Sequence, residues 1–140
     1  MPTTDRDRES QAIGTEECLR LLASTGIGRL AYTEAALPAI RPVSFRIRED
    51  DVLIPASRGS RLVRAIRGAV VAFQVDSYDG TARPGWSVTV VGPSRVITGG
   101  SSEAPGACLI AVQLGLVRGW RTTLGIGTPD AAHLVDGTPA

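Results

Sequence analysis

Residues 85–97 read GWSVTVVGPSRVI. Trp86, Val88 and Val90 alternate with Ser87 and Thr89. That is the period-two pattern of a strand with one buried face, and it predicts a strand over Trp86–Thr98. Gly92-Pro93 interrupts the alternation, as a bulge or a barrel corner would. Working back along the chain, Val70–Tyr78 reads as a second strand, with Val71, Phe73 and Val75 on one face. Ala39–Arg48 places Arg41, Val43, Phe45 and Ile47 on one face and Ser44, Arg46 and Arg48 on the other. Glu49-Asp50-Asp51 is a tight acidic turn, and Val52–Ala56 is its returning strand, which makes a hairpin. Gly28–Thr33 is a shorter β-compatible run. This many strands at short spacing predicts a mainly β barrel or sandwich.

Two helices punctuate the strands. Thr15 is placed as an N-cap, Glu16 and Glu17 suit the positive helix end, and Cys18, Leu21 and Leu22 share one face. Thr25 and Gly26 end that helix. A second helix, Ser57–Arg67, turns Leu62, Val63 and Ile66 toward a core, and Gly68 stops it. In the last third, Ala104–Val117 fits a helix through Leu109, Val112 and Leu116, and Thr122–Ile126 fits a last strand. Residues 1–11 read as a charged flexible tail and 12–140 as a single domain, with His133–Ala140 loose.

Composition narrows the chemistry. Hydrophobic residues make up 43% and charged residues 21% of the 140, a globular balance. The 15 basic residues are all Arg, and against 14 acidic residues they leave a net charge of +1. That balance carries no overall signal for nucleic acid. The absence of Lys excludes a Walker A loop, a Schiff base and a Lys nucleophile. One His and two Cys argue against a zinc site built from the protein alone. Cys18 and Cys108 lack C-x-x-C spacing and read as small buried hydrophobes. The first ten residues hold no apolar signal core. The longest apolar stretch, Ala107–Val117, is interrupted and too short to span ~30 Å of hydrocarbon. A soluble, cytoplasmic protein with no membrane or nucleic-acid partner is expected. A borrowed cofactor or a binding role fits better than side-chain catalysis.

The stretch SRGSRLVR, residues 57–64, opens the second helix directly after a strand. Arg58 and Arg61 sit in a first turn where the helix dipole disfavours cations, by ~0.3–1 kcal/mol each. A bound anion would reverse that sign. Gly59 allows close backbone approach, and Ser57 and Ser60 offer hydroxyls. Together these describe a phosphate site. They describe equally a solvated arginine face with an ordinary Ser cap. Arg41, on an apolar face, calls for a partner, a ligand or a path to water. Trp86 suits either core packing or stacking on a flat ligand. Asp76 and Asp79 read as turn acids, and His133 stands alone.

The segments EECLRLLASTGIGRLAYT, LPAIRPVSFRI, GSRLVRAIRGAVVAFQVD and GWSVTVVGPSRVI, in this order and spacing, cover about residues 13–99. In them the chain resembles the pyridoxamine 5′-phosphate oxidase-like group of flavin-binding split-barrel proteins, in particular its small actinobacterial members. The resemblance implies a six-stranded Greek-key split barrel, flavin-reductase-like, that forms a homodimer and holds FMN at the dimer interface. It implies cofactor contacts at Arg41, Pro42 and Val43 on the strand. It adds Ala56 and Ser57 at the strand end and Gly59, Ser60 and Arg61 in the phosphate turn, with Trp86 near the flavin. A deazaflavin or haem is the alternative ligand, and a binding or sensing module without turnover is the alternative role. Pro55 departs from the Thr or Ser usual at that strand end. The ending HLVDGTPA departs from the usual Gly-Arg-Arg type. No match exists for the substrate-binding His and Arg of pyridoxamine phosphate oxidases, which speaks against vitamin B6 oxidation. The small-molecule substrate stays open.

Overall fold

A computed structural model describes residues 10–78, 84–99 and 104–123. In chain order the elements are β1 (Gln11–Ile13), α1 (Thr15–Ala23), β2 (Ile27–Glu34), β3 (Leu37–Ser44), β4 (Arg46–Arg48) and β5 (Asp51–Ser57). There follow α2 (Arg61–Ile66), β6 (Val70–Ser77), β7 (Gly85–Ile97), β8 (Ala107–Gln113) and β9 (Leu116–Thr122). Hydrogen-bonded neighbours run β3-β2-β6-β7-β8-β5-β4, with β9 on β7 and β1 on β9. Every pairing is antiparallel. Because β3 passes into β4 through Phe45, the two ends of this path meet, and the sheet curls into a mainly β barrel. The barrel is split at one place. β3 pairs with β2 and β4 pairs with β5, but no ladder joins β3 to β5.

The corner expected at Gly92-Pro93 is where β7 changes neighbours. Gly85–Val91 pair with β9, and Ser94–Ile97 pair with β8. A Cβ on Gly92 would collide with the Gln113 carbonyl, so only glycine lets the two strands approach here. Val88 and Val90 are fully buried, as their alternation predicts. They join Leu22, Leu30, Ile54, Ile66, Ile110 and Val112 in one core. Phe45 and Phe73 meet edge to face in it, ring centres 4.7 Å apart. Ser94 ties α2 to the barrel. Its buried Oγ hydrogen-bonds the Ile66 carbonyl and lies 2.9 Å from that of Ala69.

Several expectations are corrected. Ala104–Val117 is not a helix: it is β8 and the start of β9. β8 lies between β5 and β7, and Cys108, Ile110, Ala111 and Val112 are all buried. A run buried on both faces has no period to separate strand from helix. Ala39–Arg48 is two strands, broken at Phe45, whose N–H donates to the Gly26 carbonyl at 3.1 Å. With β1 and β9 these changes raise the expected six strands to nine among the described residues. Thr15 is the first helical residue and Gly14 the N-cap, since the ladder begins with Cys18 N–H on the Gly14 carbonyl at 2.9 Å. The second helix is confined to Arg61–Ile66, because Ser57 still belongs to β5, opposite Ala107. β1 opens at Gln11, the last residue of the expected tail. Of Thr122–Ile126, Thr122 closes β9, and the rest beyond Thr123 lies outside the described residues, as does His133–Ala140. No helix among the described residues is long and apolar enough to cross a membrane.

Candidate functional site

The split between β3 and β5 opens into a cleft of about 330 Å³. One lip carries Arg41, Pro42, Val43 and Ser44 from β3. The other carries Pro55, Ala56 and Ser57 from β5, with Ser60 and Leu62 at the start of α2. The chain builds the gap locally. β4 leaves β3 at Phe45, and its pairing with β5 extends only to Arg46 opposite Leu53. Beyond Leu53, that edge of β5 has no sheet partner among the described residues. Pro42 and Pro55 stand on the two open edges, the places in a sheet where a missing N–H is tolerated. A proline on each lip removes a ladder donor that would help β3 and β5 zip shut.

Arg41 lies opposite Leu30, a fully buried residue, and so on the inward side of β3. It is nevertheless exposed, because the split removes the neighbour that would have covered it. Among the described residues it has no ion pair and no side-chain hydrogen bond. Ser57 is exposed at the facing lip. The turn after it is tightly organised. Arg58 N–H donates to the Gly106 carbonyl at 2.8 Å, Ser60 N–H donates to the Ser57 carbonyl at 3.2 Å, and Gly59 takes a left-handed φ of +72°. Ser60 Oγ accepts from Val63 N–H at 3.2 Å as the cap of α2, which leaves its own O–H free to donate.

Arg41, Pro42, Val43, Ala56, Ser57 and Ser60 are therefore gathered at one cleft. Gly59, Arg61 and Trp86 are not among its lining residues. Arg61 Nε donates to Glu34 Oε2 at 2.9 Å, and with Glu34, Ala35, Arg64 and Ala65 it lines a separate depression of about 220 Å³. Gly59 shapes the turn, and its carbonyl accepts from Arg64 Nη1 at 2.6 Å. Trp86 is half-buried on β7, opposite Ser77 and Arg121, and packs on the core. Ser44, Pro55 and Leu62 also line the cleft. Strand alternation sets Ser44 on the opposite face of its strand, and the helical pattern sets Leu62 in the core, where it is buried while also edging the cleft. The break at Phe45 that exposes Ser44 has no signature in the local pattern.

The cleft offers one cation, Arg41, and three hydroxyls, Ser44, Ser57 and Ser60, beside the apolar side chains of Val43, Ala56 and Leu62. None of its lining residues is a carboxylate, His or thiol. It can hold and orient an anionic ligand with a flat apolar part, and its own side chains supply no acid–base pair. Asp76 pairs with Arg29 at 3.3 Å in mid-sheet, and Asp79 lies outside the described residues. Cys18 is fully buried, with its Sγ 3.5 Å from the Ile13 carbonyl. Burial, and then the neighbouring Glu17 charge, push its thiol above the usual range, away from nucleophile chemistry. No group of three or more potential metal ligands occurs among the described residues.

Comparison with known proteins bears on the fold and the family. The chain is 40% identical over 90 residues to an uncharacterised protein of Mycobacterium tuberculosis. That match covers 61% of this chain and 59% of the relative, so it spans about three fifths of the relative's length. Among solved structures, an FAD-binding protein from Mycobacterium smegmatis superposes with a TM-score of 0.67 at 28% identity, covering 80% of this chain and 97% of its own. An FAD- and haem-binding protein from the same organism superposes with a TM-score of 0.69 at 18% identity, covering 94% and 82%. An FAD-binding protein from Mesorhizobium loti does so at 0.68 and 19%, covering 82% and 98%. At the last two identities the likeness is one of fold. The sequence profile of pyridoxamine 5′-phosphate oxidase matches residues 14–134, nearly the whole barrel, and on that match the chain belongs to the pyridoxamine 5′-phosphate oxidase family.

Proposed function

We propose that this chain is an FMN-binding, oxidoreductase-like protein that holds the flavin phosphate between Arg41 on β3 and Ser57 and Ser60 on the facing lip. The observation that carries the reading is Arg41: an exposed guanidinium with no partner among the described residues, facing two hydroxyls across one cleft. Charge-assisted hydrogen bonds to a phosphate are worth about 1.5–3 kcal/mol each, which is ample to anchor a ligand. Val43, Ala56 and Leu62 offer apolar surface to the ring. The relatives named for FAD support a flavin in general. When bound, the flavin supplies the redox chemistry. The chain's own residues bind the phosphate, orient the ring and, at the closed sides of the cleft, exclude water.

The cleft is open on one side, and a second copy of the chain is proposed as its cover. The outer face of β3, β2, β6, β7 and β9 aligns Ile40, Ala31, Ala72, Val91 and Leu116 in one row. Ile40 is 71% and Leu116 48% exposed. The row borders the β3 lip, so a partner laid on it would bury apolar surface and close the cleft together.

The test is titration of the purified protein with FMN and with riboflavin, followed by flavin fluorescence. Saturable FMN binding near ~1 μM, about −8 kcal/mol, with riboflavin clearly weaker, is the expected result. Equal affinity for both refutes the phosphate assignment. Binding of a deazaflavin or haem but not of FMN refutes the cofactor assignment.

A further inference from the structure

We propose that Glu34 is a selectivity residue for the cleft: it competes with the ligand's phosphate for Arg61, so that Arg61 joins the site only when a phosphate monoester is bound. The inference rests on the flavin reading above and extends it to a residue outside the cleft. Arg61 follows Ser60 directly, yet its guanidinium is drawn to Glu34 in a neighbouring depression.

The hairpin tip explains how Glu34 gets there. Glu34 pairs with Leu37 across a two-residue turn, Ala35-Ala36, with φ values of +51° and +66°. Two alanines in the left-handed region are unusual, because their Cβ atoms crowd the backbone. The turn that requires them is the tightest available, and it sets the Glu34 carboxylate against the first residue of α2. There the two partners differ in freedom. The Glu34 side chain is 26% exposed and that of Arg61 is 79% exposed. Glu34 is the more enclosed partner and Arg61 the more open one. The pair uses Nε alone, and an exposed single-bonded pair is a weak one. Arg64 offers no substitute, because it donates to the Gly59 carbonyl at 2.6 Å.

Charge balance decides when the exchange happens. While paired, Glu34 cancels Arg61, and Arg41 is the cation left at the cleft. A phosphate monoester carries about 1.5–2 negative charges at neutral pH, more than one guanidinium neutralises. The surplus competes with the single carboxylate for Arg61, and no packing opposes the rotation of so exposed a side chain. A flavin without phosphate has no such pull and leaves Arg61 where it is.

The experiment compares FMN and riboflavin binding to the full chain, to Glu34→Gln, to Arg61→Ala and to the double variant. Glu34→Gln keeps the side chain's shape and removes its charge. It should tighten FMN binding roughly two- to fivefold, the worth of an exposed ion pair, and leave riboflavin unchanged. In the Arg61→Ala background the gain should vanish. Unchanged or weaker FMN binding by Glu34→Gln overturns the proposal. So does an equal shift for riboflavin, which would mark a structural role, or a gain that persists without Arg61. Unmodified protein that binds FMN no better than riboflavin overturns the phosphate reading itself, a result distinct from these.

Discussion

Replacing Arg41 by Ala separates ligand binding from folding more cleanly than any other change in this chain. Arg41 is exposed, and it has no ion pair or side-chain hydrogen bond among the described residues. Its removal should therefore shift folding stability by no more than about 0.5 kcal/mol. For a chain of this length that is a change of about 2 °C in Tm. The effect on binding should be much larger. A charge-assisted bond to phosphate is worth about 1.5–3 kcal/mol, or roughly 10- to 150-fold in Kd. Arg41 acts in an open cleft, where water screens it, so the lower end of that range applies, about tenfold. FMN fluorescence titrations beside a thermal melt read both quantities. Riboflavin is the internal control, since it has the ring and no phosphate. A tenfold loss for FMN, none for riboflavin and an unmoved melt is the expected pattern. An equal loss for both ligands would refute the reasoning, and so would full FMN affinity without Arg41. A large fall in Tm would show that Arg41 holds the barrel rather than a ligand.

The remaining predictions concern the frame around the cleft. Gly92→Ala should destabilise by about 1–3 kcal/mol, because its Cβ meets the Gln113 carbonyl at the β7 corner; chemical denaturation measures it, and an unchanged midpoint would show that the corner relaxes. Ser94→Ala should cost about 0.5–1.5 kcal/mol by removing the buried hydroxyl's hydrogen bond to the Ile66 carbonyl, which still accepts from Ala69 N–H. Its melt should fall by a few degrees, and an unmoved melt would show that the backbone donors already on the Ile66 and Ala69 carbonyls suffice without the hydroxyl. Ile40→Asp should dissociate the proposed homodimer by placing a charge in the apolar row, with little effect on the monomer's own stability. Sedimentation analysis reads this, and an unchanged dimer would put the interface elsewhere.

Much of the barrel is legible in the sequence, because strand periodicity is a local property. β6 and the first half of β7 show one buried and one open face, so Val71, Phe73, Val75, Val88 and Val90 announce themselves two residues apart. The corner at Gly92-Pro93 is equally local, since the backbone demands a residue without a Cβ next to one without an N–H. The turn from Ser57 to Ser60 is readable for the same reason: a strand end, a glycine and a capping hydroxyl lie within four residues. That residues from two distant segments meet at one site was implied by the family resemblance and not by these local features.

What stayed hidden depends on partners far along the chain. β8 carries apolar residues on both faces because β5 and β7 flank it and both sides are covered, and nothing within ACLIAVQ records that. The alternation through Phe45 runs on without a break, although Ser44 still belongs with β2 while Arg46 already belongs with β5. Only that exchange of neighbours opens the cleft. Arg61 reads as a candidate anion ligand from its place beside Ser60, yet Glu34, 27 residues earlier, holds it aside. Period, turn chemistry and capping are settled within a few residues, so the sequence alone determined the alternating strands, the corner and the site turn. Ladder partners and ion pairs form between segments that meet only on folding, so the split, the direction of Arg61 and the solitude of Arg41 were decided by the tertiary structure.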